Sequence, residues 1–354
     1  MKILHTADVH LCDYEDERWK SLEHIIDIGK RENIDLFVIS GDLFDKDVKS
    51  EMLRSKIRGL FSNNDFMTVI IPGNHDSKSF SEDLYFGEEL VILTDLNKPY
   101  EYNDVCVWGF PFEPISGEDI LIKLKSISSK LDTTKTNILL FHGELIDTFY
   151  SRSDFGDEGE ERYMPAKLSY FKNLGFDYIL AGHFHSKFNF NKFEDNKYFV
   201  YPGSPVSITK KETGQRKVNL FEIGNPPFEF LLDTPHYVEL TINLDPFVEL
   251  NPVEIVKDKL QQLHPQAKVI LTVKGYINSE SIKMTEKELV NQLKDVTNDK
   301  VIDKNFEVRD IQRILEDDLF KSFLKKLHEK NYSPEKKKEI MNLTIKAMME
   351  VVQI

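Results

Sequence analysis

The sequence predicts an α/β fold in which two packed β-sheets are flanked by helices. Over the first two thirds of the chain, short apolar runs rich in β-forming residues alternate with amphipathic helical patterns. Strands that alternate with helices are typical of α/β proteins. After Lys187 the pattern changes to consecutive strands and hairpins.

The predicted elements follow one another in a regular order. The strands of the first part are KILHTA, DLFVISG, MTVIIPGN, NILLFHG and DYILAGH, each of which ends in a small or polar residue. The first helix, RWKSLEHIIDIGKREN, places one apolar stripe on Trp19, Leu22, Ile25, Ile26 and Gly29. A second helix surrounds Met52 to Phe61. The later strands lie in KFNFNKFEDNKYFVYPGSP, RKVNLFEIG and FEFLLD.

Composition limits the class of protein. The chain has 354 residues, of which 40% are hydrophobic and 30% are charged, and this length predicts about two or three globular domains. There is no apolar run near the roughly 18 residues that a membrane span needs, and MKILHTADVH lacks a signal-peptide core. Two cysteines, Cys12 and Cys106, cannot form a disulfide framework. We therefore expect a cytoplasmic protein.

The net charge of −14 bears on the partners of the chain. Taken alone it argues against nucleic-acid binding, because neutralising phosphates requires a basic surface. An acidic chain can still act on phosphates if bound cations invert the local charge.

Polar side chains follow five of the predicted strands directly. The segments are Asp8-Val9-His10, Gly41-Asp42, Gly73-Asn74-His75-Asp76, His142-Gly143 and Gly182-His183-Phe184-His185. In open α/β sheets, sites form outside the carboxyl ends of the strands. His183 and His185 are two residues apart, so on an extended backbone both imidazoles point to one face.

The residue types in these segments indicate a metal site. Aspartate, histidine and asparagine suit divalent ions such as manganese, iron or zinc. The proposed ligands are Asp8, His10, Asp42, Asn74, His142, His183 and His185. Seven ligands exceed one tetrahedral site but fit two ions that share a bridging carboxylate. Ion pairs about 3.5–4 Å apart serve phosphate-ester hydrolysis.

The ordered set D-x-H, G-D, G-N-H-D, H-G and G-H-x-H resembles the calcineurin-like metallophosphoesterase superfamily. Within it, MKILHTADVHL, ISGDLFD, IPGNHDS and AGHFHS resemble the SbcD or Mre-eleven nucleases of DNA double-strand break repair. The resemblance covers most of residues 1–232 and implies a two-sheet sandwich.

The resemblance also implies roles for single residues. One manganese ion would be held by Asp8, His10, Asp42 and His185, and the other by Asp42, Asn74, His142 and His183. Asp42 would then be the bridge. His75 would be the catalytic residue that helps the leaving group depart, since an imidazole titrates near working pH. Asp76 would orient His75 or cap the turn.

Four features are open to interpretation. Asp45 stands where some relatives carry a second histidine. Cys12, in place of a usual glycine, is a small buried filler or approaches a metal, and we favour the filler. Residues 155–165 form a solvated loop or a mobile flap. Residues 207–217 form a basic hairpin tip that is solvated or touches the DNA backbone. Its cations are Lys210, Lys211, Arg216 and Lys217.

Three segments are predicted along the chain. Residues 1–232 form the metallophosphoesterase (nuclease) domain, residues 236–305 a small αβ unit that resembles the capping domain with which this family grips DNA, and residues 308–354 a helix-loop-helix. The resemblance implies that this helix-loop-helix binds an ABC-type ATPase subunit of the SbcC or Rad-fifty kind. Packing of the two helices on the chain's own core is the alternative.

The expected function is that of a manganese-dependent DNA nuclease subunit, homodimeric, in repair, recombination and replication. It would act as a double-strand 3′–5′ exonuclease and a single-strand or hairpin endonuclease. A metallophosphodiesterase for small substrates is one alternative. The other is a DNA-tethering scaffold with little catalysis.

Overall fold

The computed structural model describes residues 1–46, 48–80, 85–148, 154, 162–248, 250–297 and 299–352. The chain divides into two compact units, Met1–Tyr237 and Val238–Ile354.

The first unit contains two six-stranded sheets. Its strands are β1 (Lys2–Thr6), β2 (Leu36–Ser40), β3 (Met67–Ile71), β4 (Leu90–Ile92), β5 (Tyr100–Tyr102), β6 (Val105–Phe110), β7 (Thr136–His142), β8 (Tyr178–Gly182), β9 (Asn189–Glu194), β10 (Lys197–Tyr201), β11 (Lys217–Glu222) and β12 (Glu229–Leu231). The strand orders are β12-β11-β1-β2-β3-β4 and β5-β6-β7-β8-β10-β9. Its helices are α1 (Glu17–Glu32), α2 (Ser50–Phe61) and α3 (Glu118–Ser128).

The two sheets pack on each other through their inner faces. Val38 and Val69 of the first sheet share one buried cluster with Ile138 and Leu180 of the second. A second buried cluster lies on the outer face of the first sheet and includes residues of α1 and α2. A third lies on the outer face of the second sheet and includes residues of α3. The prediction of two packed sheets flanked by helices is confirmed.

Helix α1 shows how the local sequence produces these layers. Asp16 caps its first turn by accepting a hydrogen bond from the Trp19 backbone N–H at 2.7 Å. Asn33 ends the helix in a left-handed conformation. The predicted apolar stripe from Trp19 to Gly29 is buried against the first sheet, as a period of 3.6 residues requires.

Parallel pairing places the strand ends that matter at common edges. Strands β1, β2 and β3 run parallel, and so do β6, β7 and β8. The carboxyl ends of neighbouring strands in each sheet therefore lie side by side, where sites form in α/β proteins.

The second unit has its own sheet and core. Its strands are β13 (His236–Leu244), which begins at the unit boundary, β14 (Ala267–Ile277) and β15 (Val301–Asp310), in the order β13-β14-β15. Its helices are α4 (Pro252–Gln261), α5 (Ser279–Ile282), α6 (Glu286–Val296), α7 (Gln312–Glu316), α8 (Asp318–Glu329) and α9 (Pro334–Val352). Because β15 extends to Asp310, the predicted boundary between residues 305 and 308 falls inside a strand.

Helices α7, α8 and α9 surround a small apolar cluster. Ile311, Ile314, Phe320 and Ile345 are buried in it. Among the described residues, no helix is both long enough and apolar enough to cross a membrane.

His5 on β1 is fully buried, and neither ring nitrogen makes a hydrogen bond with the described residues. Burial lowers its pKa to about 3, so the unfolded chain takes up this proton near pH 6.5 and the folded chain does not. Each pH unit between these values costs about 1.4 kcal/mol of stability. We predict that stability falls as the pH is lowered from 6.5, and that His5→Leu reduces this loss by about 2 kcal/mol between pH 6.5 and 5. Urea unfolding at pH 6.5 and pH 5 measures the free energy of unfolding of both proteins. Equal losses in the unmodified protein and in His5→Leu would contradict the prediction.

Candidate metal centre

The structure brings the proposed ligands together at the strand ends. Asp8 and His10 follow β1, Asp42 follows β2, and Asn74 follows β3. His142 is the last residue of β7, and His183 and His185 follow β8. Asn74 is half-buried and the other six residues are buried. A buried cluster of acids and imidazoles is unusual unless its members bind one another or a metal.

The backbone at these positions is strained. Asp8, His10, Asp42 and His183 have positive φ angles of 55°, 52°, 52° and 89°. Residues with a side chain adopt this region at a cost of about 1–2 kcal/mol each. Two hydrogen bonds between loops stabilise this backbone conformation. The Asp8 N–H donates to Gly41 O at 3.1 Å, and the His10 N–H donates to Asp42 O at 2.9 Å.

One group of ligand atoms comes from Asp8, His10 and His185, and all of them lie within 4.8 Å of one another. The Nε2 atoms of His10 and His185 are 3.3 Å apart, and His185 Nε2 is 3.9 Å from Asp8 Oδ1. The Asp8 carboxylate also accepts from the His183 backbone N–H at 2.9 and 3.0 Å. These are three of the four residues proposed for the first metal position.

A second group surrounds His142. Its Nε2 lies 3.3 Å from Asp42 Oδ2 and 2.9 Å from Asn74 Oδ1, and its ring is 5.5 Å from that of His183. Its Nδ1 lies 2.8 Å from Ser40 O. Because a carbonyl can only accept, Nδ1 carries the proton and Nε2 faces the acids. Burial would lower the pKa of His142, but Asp42 and Asp8 raise it to about 10, so an incoming cation would replace a proton here.

Asp42 lies between the two groups. Its Oδ1 accepts from the His75 backbone N–H at 2.9 Å. Its Oδ2 lies 3.8 Å from His10 Nε2 as well as close to His142, and makes no hydrogen bond within the part of the chain that the structure describes. A buried carboxylate oxygen left without a hydrogen bond is costly unless a cation compensates it. The residues present therefore fit a pair of divalent cations bridged by Asp42.

Comparison with known proteins assigns the chain to a family. Residues 1–187 match the family model for calcineurin-like phosphoesterases. The chain belongs to the calcineurin-like phosphoesterase family. It is accordingly a metal-dependent phosphoesterase, and the ligands described above all lie in or beside the carboxyl ends of strands within the matched region.

Individual relatives of this phosphoesterase were also found. The DNA double-strand break repair protein Mre11 of Saccharolobus solfataricus is 24% identical over an alignment of 283 residues, and the match covers 73% of this chain and 69% of that protein. TT1561 of Thermus thermophilus has a TM-score of 0.44 and 15% identity, over 62% of this chain and 93% of that one. GAP50, described as the anchor in the inner membrane complex of Plasmodium, has a TM-score of 0.40 and 11% identity, over 88% and 97%.

His75 of the phosphoesterase centre lies next to His10, with ring centroids 4.6 Å apart. Asp45 Oδ1 is 3.2 Å from His75 Nδ1 and 3.6 Å from His10 Nδ1, and Arg18 Nη1 is 2.6 Å from Asp45 Oδ2. Burial would raise the pKa of Asp45, but hydrogen bonds from His10, His75 and Arg18 lower it. Asp45 thus lies beside two imidazoles, and the Lys46 backbone N–H also faces His75 Nδ1 at 3.2 Å. The sequence marked Asp45 by its spacing from Asp42, but Arg18 on α1 belongs to no motif.

The structure shows the surroundings of Asp76 and Cys12, whose roles the sequence left open. Asp76 accepts from the backbone N–H groups of Leu43 at 2.7 Å, Phe44 at 3.2 Å and Gly73 at 2.7 Å, so it caps these two loops. Burial and the nearby Asp42 raise its pKa to about 7. The interpretation of Cys12 as a buried filler is wrong, because Cys12 is exposed and its Sγ lies 3.1 Å from Asp45 Oδ2.

The predicted basic hairpin tip needs a correction. Lys210 and Lys211 are exposed, but Arg216 is buried and donates to the carbonyl oxygens of Ser186 and Ser204 at 2.8 and 2.9 Å. Arg216 is therefore a structural cation and does not face DNA. The acidic stretch at 155–165, interpreted as a loop or flap, lies largely outside the described residues.

Gly73 allows Asp42 to approach the loop after β3. A Cβ atom at Gly73 would lie 2.1 Å from Asp42 Oδ1 and 2.6 Å from its backbone nitrogen. We predict that Gly73→Ala displaces Asp42 and weakens divalent-cation binding at least about tenfold, measured by calorimetric titration. Gly59→Ala on α2 is the matched control, since a Cβ there meets nothing within 4 Å. Equal affinity in the two variants would show that the close approach is unimportant.

Proposed function

We propose that this phosphoesterase is a manganese-dependent DNA nuclease of the SbcD or Mre11 kind, acting in double-strand break repair, recombination and replication. It would degrade double strands 3′–5′ and cut single strands and hairpins. The observation that carries the proposal is Asp42 Oδ2, which lies between His10 and His142 at the junction of two ligand groups. Two-metal centres suit phosphodiester hydrolysis, and the Mre11 relative supports DNA as the substrate.

The proposed ligands divide between two cation positions. Asp8, His10 and His185 would hold one cation, Asn74, His142 and His183 the other, and Asp42 both. Bound divalent cations supply Lewis-acid activation of water and neutralise charge on the phosphoryl oxygens.

His75 would donate a proton to the departing oxygen of the phosphodiester. Asp45, the Lys46 backbone N–H and the His10 ring surround its imidazole. Its backbone N–H meanwhile holds Asp42 Oδ1, so His75 contributes to the centre through two separate groups.

A cavity beside the centre favours a substrate with several phosphates. Its volume is about 570 Å³, and Lys46, Lys49 and Lys78 line it together with Asn74 and His75. Three lysines against one acid, Glu51, next to the centre of a chain with net charge −14 attract a polyanion locally. This supports DNA over a small phosphodiester.

The test incubates the full chain with manganese and end-labelled hairpin DNA, beside a chromogenic phosphodiester. We expect cleavage of both, with the DNA cut far more efficiently. Lys49→Glu should slow DNA cleavage and spare the small substrate. Hydrolysis of the small substrate alone would favour the small-substrate enzyme, and hydrolysis of neither would favour the scaffold.

We also propose that α8 and α9 bind an ABC-type ATPase of the SbcC or Rad50 kind. Between them lies an apolar groove of about 550 Å³ that includes Leu319, Leu343 and Val351. These side chains are 73%, 61% and 82% exposed. Apolar side chains of this size contribute about 1.5–3 kcal/mol each when buried, which supports a helix-in-groove contact.

We predict that Leu343→Glu abolishes co-purification with the ATPase while leaving cleavage of short single-stranded DNA unchanged. Asn342→Glu adds the same charge at the neighbouring exposed position and should bind normally. Ending the chain after Asp310, where β15 is complete, should act like Leu343→Glu. Unchanged co-purification of Leu343→Glu would contradict the proposed contact.

The remaining assignments are also proposals. The αβ part of the second unit, up to Asp310, would be the capping domain that grips DNA, and the chain would act as a homodimer. The free thiols of Cys12 and Cys106 support a reducing, cytoplasmic compartment.

A further inference from the structure

The segment from Ser204 to Arg216 carries two buried charges that the metal ligands do not account for. Glu212 is fully buried and Arg216 is 2% exposed. Both lie against His185, one of the proposed ligands. Charged side chains are rarely buried without a specific partner.

The Glu212 carboxylate is held firmly on both oxygens. Oε2 accepts from Ser204 Oγ and from the Ile208 backbone N–H, both at 2.9 Å. Oε1 accepts from the Thr209 N–H at 3.2 Å and from its hydroxyl at 3.1 Å. Oε1 also lies 3.6 Å from His185 Nδ1. The four donors fix the carboxylate in place beside the imidazole.

Arg216 holds the backbone of the same histidine. Its guanidinium donates to the carbonyl oxygen of His185, as well as to those of Ser186 and Ser204. The Ser204 backbone N–H donates to the same His185 oxygen at 3.0 Å. Ring and main chain of His185 are thus both anchored by the segment 204–216.

The neighbouring ligand His142 has a closer contact at the same ring nitrogen, with a carbonyl oxygen at 2.8 Å instead of a carboxylate oxygen at 3.6 Å. There Ser40 O faces Nδ1 and Nε2 faces Asp42. At His185, Glu212 faces Nδ1, and Nε2 lies near Asp8 and His10. A metal-binding imidazole commonly donates its second ring N–H to a carboxylate or a carbonyl, which fixes its tautomer and orientation.

We propose that Glu212 is a positioning residue for the metal centre. It keeps the proton of His185 on Nδ1 and so presents Nε2 to the cation shared with Asp8 and His10, while Arg216 fixes the backbone of His185. The inference rests on the proposed two-metal function.

The first test titrates manganese into the protein and follows the electron paramagnetic resonance signal of the free ion. Glu212→Ala should weaken one of the two ions by about 10–100-fold and leave the other unchanged. Glu212→Gln keeps an acceptor and should lose less. Glu222→Gln, at an exposed position of β11, is the matched control. Equal weakening of both ions, or of neither, would overturn the proposal.

A double-mutant comparison separates positioning from general damage. If Glu212 acts through His185, Glu212→Gln should cause no further loss of manganese affinity in a His185→Ala background. Additive losses would mean that Glu212 acts by another route.

The second readout uses no metal at all. In protein with ¹⁵N-labelled histidine, long-range ¹H–¹⁵N spectra should show His185 protonated on Nδ1, and Glu212→Ala should shift it toward a mixture of tautomers. If Glu212→Ala does not fold, Glu212→Gln and the control provide the comparison. An unchanged tautomer would overturn the proposal. Failure of the unmodified protein to bind two ions would instead overturn the proposed function.

Discussion

Asp42→Asn is expected to lose both bound cations and to hydrolyse DNA at least about 10³-fold more slowly. Asparagine keeps the shape of the side chain and an oxygen that can accept from the His75 N–H, but it removes the negative charge between His10 and His142. A bridging carboxylate serves both ions, and each ion stabilises several kcal/mol of transition-state charge. Metal analysis after dialysis and single-turnover cleavage of labelled DNA measure the two effects.

Asp27→Asn on the exposed side of α1 is the matched control for this variant, since it removes the same charge far from the strand ends. It should keep both ions and the full rate. An Asp42→Asn protein that retained one ion and normal cleavage would contradict the bridging role.

His75→Ala is expected to keep both cations and to cut DNA about 10²–10⁴-fold more slowly. The backbone N–H that holds Asp42 remains in the variant, so the metal ligands stay in place and only the imidazole is lost. The defect should nearly vanish for a nitrophenyl phosphodiester, because nitrophenolate departs without a proton. Steady-state rates on DNA and on the nitrophenyl ester make the comparison.

His328→Ala, an exposed histidine of α8, provides the control and should behave as the unmodified protein. Loss of metal in His75→Ala, or an equal defect on both substrates, would show that His75 is not a proton donor to the leaving group.

The sequence predicted the place of the centre because parallel strands share an edge. Five apolar runs were followed closely by aspartate, asparagine or histidine, and parallel pairing of β1–β3 and of β6–β8 carries these positions to common edges. The prediction that His183 and His185 lie on an extended backbone is wrong, because His183 has a φ of 89°. The loop still directs one imidazole toward His142 and the other toward His10.

The supporting residues could not be predicted in the same way, because long-range contacts supply them. Arg18 reaches Asp45 from α1, and Glu212 and Arg216 reach His185 from the segment that leads into β11. Strand β11 returns antiparallel beside β1, and no local pattern in the sequence specifies this return. Arg216 therefore resembled part of an exposed basic tip.

The C-terminal helices show the same limit. The sequence predicted a helix-loop-helix here, but it did not distinguish the residues that pack inward from those that remain outside. Phe320 is buried and Phe323 packs against the same cluster, whereas Leu319 is 73% exposed. A charge at Phe323 would therefore damage the helix pair itself, and Leu319 or Leu343 is the better position to test partner binding.

The proposed nuclease activity depends most directly on a pair of ions bridged by Asp42. Anomalous diffraction at the manganese edge, from crystals grown with manganese, would locate them. We predict two peaks about 3.5–4 Å apart, one beside Asp8, His10 and His185 and the other beside Asn74, His142 and His183, with Asp42 in contact with both. A single peak, or a peak among His10, Asp45 and His75, would contradict the proposed pair of ions bridged by Asp42.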